Sequence, residues 1–409
     1  MMSELLKGSG DPEQLKSQGW NILAEEVSLP VAVIRQDAIA QNARWMSEFA
    51  RRNNVLLAPH GKTTMAPELF NLQLEHGAWA ITVATVPQLL CAHEAGVKRI
   101  ILANQLIGTF HFKQVAHLLK STDIEFYCFV DSIANAQALG KFFDEAEVKL
   151  NILLEIGVEA GRCGWRDVTR INEFVGQCQR FSSLQICGLA FYEGVIGGAQ
   201  AEQKVTQFVE TILNTTLQLK QQGAFACELP IISGAGSAWY DIVAKTLASH
   251  SESGSLRLVI RPGCYLIHDT GIYQDAQQTV MARSQIACDI GGDLISSLYL
   301  WAYVVSMPEE GLAIVGLGKR DAAFDAGLPL PEWIFNKATQ TLRVAEASLK
   351  LEKIMDQHAM LRVPQGVSLS VGDMICFSTS HPCLTFDKWR QIGVVEQDWT
   401  ISKTFTTHF

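Results

Sequence analysis

Residues 55–67 read Val-Leu-Leu-Ala-Pro-His-Gly-Lys-Thr-Thr-Met-Ala-Pro. Four apolar residues, Val55–Ala58, have the length and composition of a buried strand, and Pro59 stops it. The next charged side chain, Lys62, therefore stands just past a strand end, two residues after His60. A lysine at a strand mouth can be partly desolvated and can meet a carbonyl group as an amine nucleophile. It can equally be a solvated surface charge. The residues at the ends of the other strands decide between the two.

The same unit repeats outward from this stretch. Short β-prone runs at 31–34, 55–58, 80–83, 99–102, 125–130, 150–156, 186–191, 229–232 and 256–260 alternate with amphipathic stretches such as 38–49, 87–95, 168–178, 201–221 and 239–249. Buried strands alternating with helices imply parallel βαβ pairing. Eight or nine such strands without a glycine-rich dinucleotide fingerprint predict an α/β fold of the (β/α)8 TIM-barrel type. After Pro262 the pattern changes. Segments 278–290, 295–306, 311–318, 340–346, 368–378 and 390–396 are β-prone and separated by turns such as Gly291-Gly292-Asp293. They predict a C-terminal, mainly antiparallel β domain. The expected division is a barrel over 28–270 and a β domain over 271–409, with residues 1–27 packing on the latter.

Composition excludes several classes. The chain has 409 residues, 48% of them hydrophobic and 18% charged, which places it among folded globular proteins. A formal charge of −9 without a basic stripe argues against nucleic-acid binding. No apolar run reaches bilayer-spanning length, and Met1–Trp20 lacks a signal-peptide core, so a cytoplasmic protein without membrane partners is expected. Ten cysteines scattered through apolar stretches, with no CxxC pair, read as mostly buried thiols in a reducing compartment.

In a barrel of this kind chemistry gathers at the C-terminal strand ends. After 152–156 comes Gly157-Val158-Glu159-Ala160-Gly161-Arg162-Cys163-Gly164, which presents Arg162. After 189–191 comes Tyr192-Glu193-Gly194, and after 230–232 comes Ser233-Gly234-Ala235-Gly236-Ser237. Small residues there let backbone N–H groups approach a phosphate; the same residues serve a tight turn. Arg162 also fits a structural ion pair, and Tyr192 a core aromatic. In the second half, Ser380-His381-Pro382-Cys383 places an imidazole and a thiol two residues apart. On an extended segment both would face one side, as two ligands of a zinc-like ion with positions open for water or substrate. A buried, hydrogen-bonded pair is the alternative, and His358 is a further candidate for the same region.

Together these segments resemble fold-type III pyridoxal-phosphate enzymes, the alanine-racemase-like barrels, and within them the D-threonine aldolase and D-serine dehydratase family. The resemblance runs from about Leu29 to the C-terminus. It implies that Lys62 is the Schiff-base lysine, that Arg162 approaches the cofactor's phenolic oxygen, and that Tyr192 belongs to the cofactor site. It likewise assigns Ser233, Gly234, Gly236 and Ser237 to the phosphate loop. Arg261-Pro262-Gly263-Cys264-Tyr265 resembles the segment leaving the barrel. Tyr192-Glu193-Gly194 resembles the family's Tyr-x-Gly-His stretch, with Val195 where the histidine stands. His381 and Cys383 would hold a divalent metal, zinc suiting the pair best; cysteine as second ligand resembles the dehydratases, whereas the aldolases carry aspartate. The stretch Gly318–Gly327 resembles bacterial amino-acid deaminase members. The implied activity is a carbon–oxygen lyase of the D-serine ammonia-lyase type. It would eliminate water from a D-β-hydroxy amino acid to give a 2-keto acid and ammonia, with His60 as a proton relay. The alternatives are a D-threonine-type aldolase and a non-catalytic cofactor carrier. A homodimer is implied as well.

Overall fold

The computed structural model describes residues 6–252 and 254–409. Two short strands precede the barrel, β1 (Trp20–Asn21) and β2 (Val31–Arg35). The barrel strands are β3 (Leu56–Leu57), β4 (Ile81–Val83), β5 (Arg99–Gln105), β6 (Glu125–Val130), β7 (Leu150–Ile156), β8 (Leu184–Phe191), β9 (Ile231–Gly234) and β10 (Arg257–Ile260). All are parallel, in the order β3-β10-β9-β8-β7-β6-β5-β4. The ring closes through one bridge between His60 and Thr82, where the Thr82 amide donates to the Pro59 carbonyl at 2.8 Å. The closing seam thus lies two residues before Lys62.

Helices cross outside between successive strands, as the right-handed βαβ connection requires. Ala201–Gln221 is helical over the expected span, and Gln36–Arg52 buries Ala38, Ile39, Asn42, Ala43, Trp45, Met46, Phe49 and Ala50 on one face. Inside the barrel, alternate residues of the strands (Ile101, Tyr127, Phe129, Leu153, Cys187, Ile231 and Val259 among them) pack as a separate small core. That core floors the cavity above it.

The second sheet has eleven strands. Those that come after the barrel are β11 (Leu298–Glu309), β12 (Leu312–Val315), β13 (Leu330–Asn336), β14 (Thr341–Val344), β15 (Lys350–Ile354), β16 (Ala359–Arg362), β17 (Met374–Ser378), β18 (Gln391–Val395) and β19 (Thr400–Thr406). Pairing is antiparallel except between β18 and β2. Val31–Arg35, expected as a barrel strand, is a correction. As β2 it lies between β11 and β18 and joins the C-terminal sheet. An all-apolar run satisfies a buried position in either sheet, so local pattern does not distinguish them. β1 pairs with β19, and Lys7 Nζ binds Asp321 at 2.9 Å, so the N-terminal segment rests on the β domain.

Residues 278–290 are a second correction. They form two helices, Ile272–Arg283 and Gln285–Ile290, where strands were expected. Asp269 Oδ1 accepts from the amides of Gly271, Tyr273 and Gln274 at 3.0–3.1 Å, and Ser284 Oγ accepts from Ala287 at 3.3 Å. Such side-chain caps satisfy the free amides of a helix start and override the strand preference of the residues beyond them.

Candidate active site

A cavity of about 670 Å³ opens at the C-terminal ends of the barrel strands, between the barrel and the β domain. Lys62, His60, Arg162, Tyr192, Gly236, Ser237, His381 and Cys383 all line it. Segments far apart in sequence therefore converge on one space.

Lys62 sits on a single 3-10 turn, Gly61–Thr63, directly after the barrel seam. Gly61 is needed there because a Cβ would lie 2.8 Å from the Phe70 ring and 2.9 Å from Ile81. The Lys62 side chain stands exposed in the cavity and not packed into its wall. His60 Nδ1 is sealed from solvent without a partner. Burial, and then the charges of Lys62, Arg261 and Arg162, push its pKa well below the ordinary value, so the ring is neutral.

The Arg162 loop is held by another arginine. Arg166 donates to the carbonyls of Arg162, Cys163 and Gly164 at 2.6–2.8 Å, and the Gly164 amide donates to Asp131. Gly164 has φ +106°, and a Cβ on it would meet the Gly157 nitrogen at 2.4 Å, so the two glycines let the loop fold onto its own base. So held, the Arg162 guanidinium lies 4.1 Å over the Tyr192 ring. Burial raises the Tyr192 pKa, and the phenol stays protonated.

The serine–glycine loop divides into two parts. Ser233 is fully buried and accepts from Arg261 Nη1 at 2.6 Å, while Arg261 Nη2 donates to the Phe191 carbonyl. Gly234 packs against Phe191. Ser233 and Gly234, expected in the phosphate loop, end strand β9 and do not line the cavity, whereas Gly236 and Ser237 do. The amides of Ala235 and Gly236 are also committed: they donate to the buried Glu193 carboxylate at 3.0 and 2.8 Å. Ser237 remains on the cavity wall, its Oγ accepting from the Cys264 amide at 3.3 Å. Gly263 lies beside it and opposite His60.

His381-Pro382-Cys383 is not extended. Pro382 is helical (φ −60°, ψ −43°), and Cys383 opens a short helix, Cys383–Phe386. The two side chains nevertheless come close. His381 Nδ1 pairs with Asp325 Oδ2 at 2.7 Å, and both His381 and Cys383 line the same cavity. Cys383 Sγ reaches Thr63 Oγ1 at 3.4 Å and Cys264 Sγ at 3.6 Å. Hydrogen bonds from Cys264, His381 and Thr63 push the Cys383 thiol well down; those with Cys383 and Asp325 push His381 up. The pair on its own favours thiolate beside imidazolium; the thiolate is the form that ligates metal, and the imidazole would have to give up its Nε2 proton to join it. His358 lies on an exposed turn and does not line the cavity.

Five contributors were not singled out from sequence: Arg261, Glu193, Glu155, Cys264 and Asp325. Arg261 is buried, with its pKa lowered to about 10 chiefly by burial, and its Nε–H is unpartnered. Asp325 lies in the Gly318–Gly327 stretch, whose resemblance to deaminases carried no chemistry of its own. Among the described residues, Asp131, Glu155 and Cys163 form the cluster whose ligand atoms lie mutually within 4.8 Å. Glu155 is bound there by Gln105 at 2.5 Å, and Asp131 by the Gly164 amide.

Residues 34–267 match the family model described as alanine racemase, N-terminal domain, and residues 297–395 the putative serine dehydratase domain. The chain belongs to the alanine racemase N-terminal domain family. It is thereby a fold-type III pyridoxal-phosphate protein, as the residues implied. Similar relatives of this alanine racemase family chain include D-threonine aldolase of Arthrobacter sp, 25% identical over 98% of both chains. D-threo-3-hydroxyaspartate dehydratase of Delftia sp. (strain HT23) is 27% identical over 40% of this chain and 43% of that protein. The crystal structure of D-threonine aldolase from Filomicrobium marinum superposes with TM-score 0.77 at 20% identity, covering 95% of this chain and 97% of that one. That of the Delftia dehydratase gives 0.74 at 19%, covering 95% and 99%. These likenesses bear out the barrel and the β domain behind it.

The residues present fit both implied groups. A lysine, an arginine stacked on a tyrosine and an unpartnered buried Nε–H face one cavity. An imidazole and a thiolate, a good donor set for zinc, stand at its edge.

Proposed function

We propose that this chain is a pyridoxal-phosphate- and metal-dependent lyase that removes water from D-serine or a related D-β-hydroxy amino acid, yielding a 2-keto acid and ammonia. The carrying observation is the convergence of Lys62 with His381 and Cys383 on one cavity, although the barrel and the β domain supply them separately. Pyridoxal phosphate supplies an electron sink for the pair left at Cα when the α-proton is removed.

The protein's own groups divide the remaining work. Lys62 anchors the cofactor and, once displaced by the substrate amine, takes the α-proton. Arg162, held over Tyr192, would face the cofactor's phenolic oxygen. Ser237 and the backbone at Gly263 would receive the phosphate, since the Ala235 and Gly236 amides already serve Glu193 and the Cys264 amide serves Ser237. His381 and Cys383 would hold the metal, zinc by their donor chemistry, and the metal would supply a Lewis acid for departure of the β-hydroxyl. His60, neutral and enclosed with its Nδ1 unpartnered, would be the proton relay only through a group the substrate or cofactor brings to that atom. A mutant D-threo-3-hydroxyaspartate dehydratase was solved in the metal-free form, which supports a metal role in that protein.

A second reading is a D-threonine-type aldolase, favoured by the Arthrobacter relative that spans 98% of the chain. Products separate the two across a panel of D-amino acids, assayed with metal analysis. Keto acid plus ammonia supports elimination, and glycine plus an aldehyde supports the aldolase. Cofactor binding without either product would make the chain a carrier. Lys62→Ala should lose both cofactor absorbance and turnover; an active, yellow variant refutes the assignment. Chelation should stop elimination while sparing cofactor binding.

A further inference from the structure

The β domain contributes one wall of the cavity. His381 and Cys383 stand in it, and Leu384, Asp387 and Phe409 complete it. Cys383–Phe386 is a single helical turn, and the Asp387 amide donates to the Cys383 carbonyl at 3.4 Å, so Asp387 stands one turn on from Cys383. Thr385 and Phe386 are buried in the domain, whereas Leu384 is exposed and faces the cavity. Phe409 arrives from the other end of the domain. The Thr407 hydroxyl donates to the Trp389 carbonyl, the Thr407 amide to that of Arg390 at 3.0 Å, and the His408 amide to that of Met65 at 2.9 Å. The segment after β19 is thereby tied to the chain just past Lys62, and Phe409 lines the cavity while remaining exposed.

Exposed apolar side chains on a cavity wall gain by burial against an apolar ligand. The charge on the same wall disfavours an anion. Asp387 lines the cavity, while its partner Lys388, 3.3 Å away, does not. Among the described residues, the lysines and arginines that line the cavity are Lys62, Arg162 and Arg261, all from the barrel. Lys62 and Arg162 serve the cofactor in the proposed reaction, and Arg261 is fixed by Ser233 and the Phe191 carbonyl. A second carboxylate placed beside His381 and Cys383 would meet Asp387, and like charges set face to face exclude a wrong partner.

We propose that Leu384 and Phe409 form the subsite for the substrate's β-substituent and that Asp387 turns a carboxylate away from it. The substrate class is then D-β-hydroxy amino acids with an alkyl or aryl β-substituent, not those of the 3-hydroxyaspartate type. This rests on the reading that the β-hydroxyl is held at His381 and Cys383, because a substrate so held directs its other Cβ group onto the residues that adjoin the pair. The subsite serves elimination and aldol cleavage alike, since both act on the same bound substrate.

On the full chain loaded with cofactor and zinc, kcat/KM for total product should rise from D-serine through D-threonine to D-phenylserine, with D-3-hydroxyaspartate poorest. Leu384→Ala and Phe409→Ala should each cut the phenylserine-to-serine ratio by about 10-fold or more, the size of effect that small changes in an apolar pocket produce. Asp387→Asn should raise the 3-hydroxyaspartate-to-serine ratio, a gain that misfolding does not imitate. A wild type that prefers D-3-hydroxyaspartate, or ratios unmoved in all three variants, overturns the subsite. Binding is read apart from turnover with D-phenylalanine and D-aspartate, which lack the β-hydroxyl, by titrating the cofactor's absorbance. A lower Kd for D-phenylalanine, lost in Phe409→Ala, supports the subsite even where no β-hydroxy amino acid is converted, an outcome that overturns the lyase reading and not the preference of this wall. Tighter D-aspartate in an enzyme that still forms product overturns the subsite and leaves the lyase reading standing.

Discussion

Asp325 Oδ2 lies 2.7 Å from His381 Nδ1 and joins a loop of the β domain to the proposed metal ligand. A carboxylate at one imidazole nitrogen fixes the ring's tautomer and aims the other nitrogen. Asp325→Ala is expected to weaken metal binding by about 10–100-fold. Asp325→Asn, which keeps an acceptor oxygen, should lose less. Chelator competition on the two variants measures both.

Glu193 is a buried carboxylate whose pKa is raised by burial, against which the Gly236 and Ala235 amides and Arg261 work. Glu193→Gln replaces one acceptor oxygen with an N–H group facing a buried amide. The expected cost is about 1–3 kcal/mol of stability, seen as a lower urea midpoint. An unchanged midpoint would mean that the loop does not depend on this carboxylate.

Gly234→Ala tests whether this glycine serves packing. A Cβ there would fall 2.1 Å from Phe191 Cζ, and Phe191 is itself packed edge-on against Phe208. Overpacking of this kind costs about 1–3 kcal/mol. A lowered melting temperature with the cofactor's phosphate still bound by the folded protein is the expected result.

His268 makes stability pH-dependent. It is buried, and desolvation lowers its pKa to about 4. Between pH 6.5 and 4 the unfolded chain takes up a proton there that the native chain does not. Stability therefore falls with decreasing pH, by at most about 1.4 kcal/mol per unit from this group. Asp269, raised to about 6 by burial, binds its proton earlier in the native state and opposes the trend. His268→Asn removes the first effect alone. Relative to wild type, the variant should gain stability as pH drops from 6.5 to 4.5, read from urea midpoints at the two values. A constant gap would place the titration elsewhere.

Much of this protein is legible in its sequence. Strand–helix alternation marks the barrel because each run carries its own burial pattern and its own stop, as at Pro59 and Gly157. Lys62, Arg162, Tyr192 and Ser237 are found by the same rule, since residues just past parallel strands share one face of a barrel. The helices over 272–290 carried a signal in Asp269 and Ser284, which cap them, but the β-prone residues between masked it. Val31–Arg35 carried none, because an apolar run does not say which sheet buries it.

Tertiary structure alone decided the pairings. Cys264 and Cys383 are 119 positions apart, and His381 and Asp325 are 56. No local period relates such residues. They meet because the β domain folds back over the C-terminal rim of the barrel and sets its His-Pro-Cys turn above the Lys62 loop. Within the barrel rim, the ends of adjacent strands likewise commit two loop amides to Glu193 and bind Arg261 to Ser233. Residue types and strand ends specify which groups stand at the rim; the packing of one domain on the other specifies which of them face the same cavity.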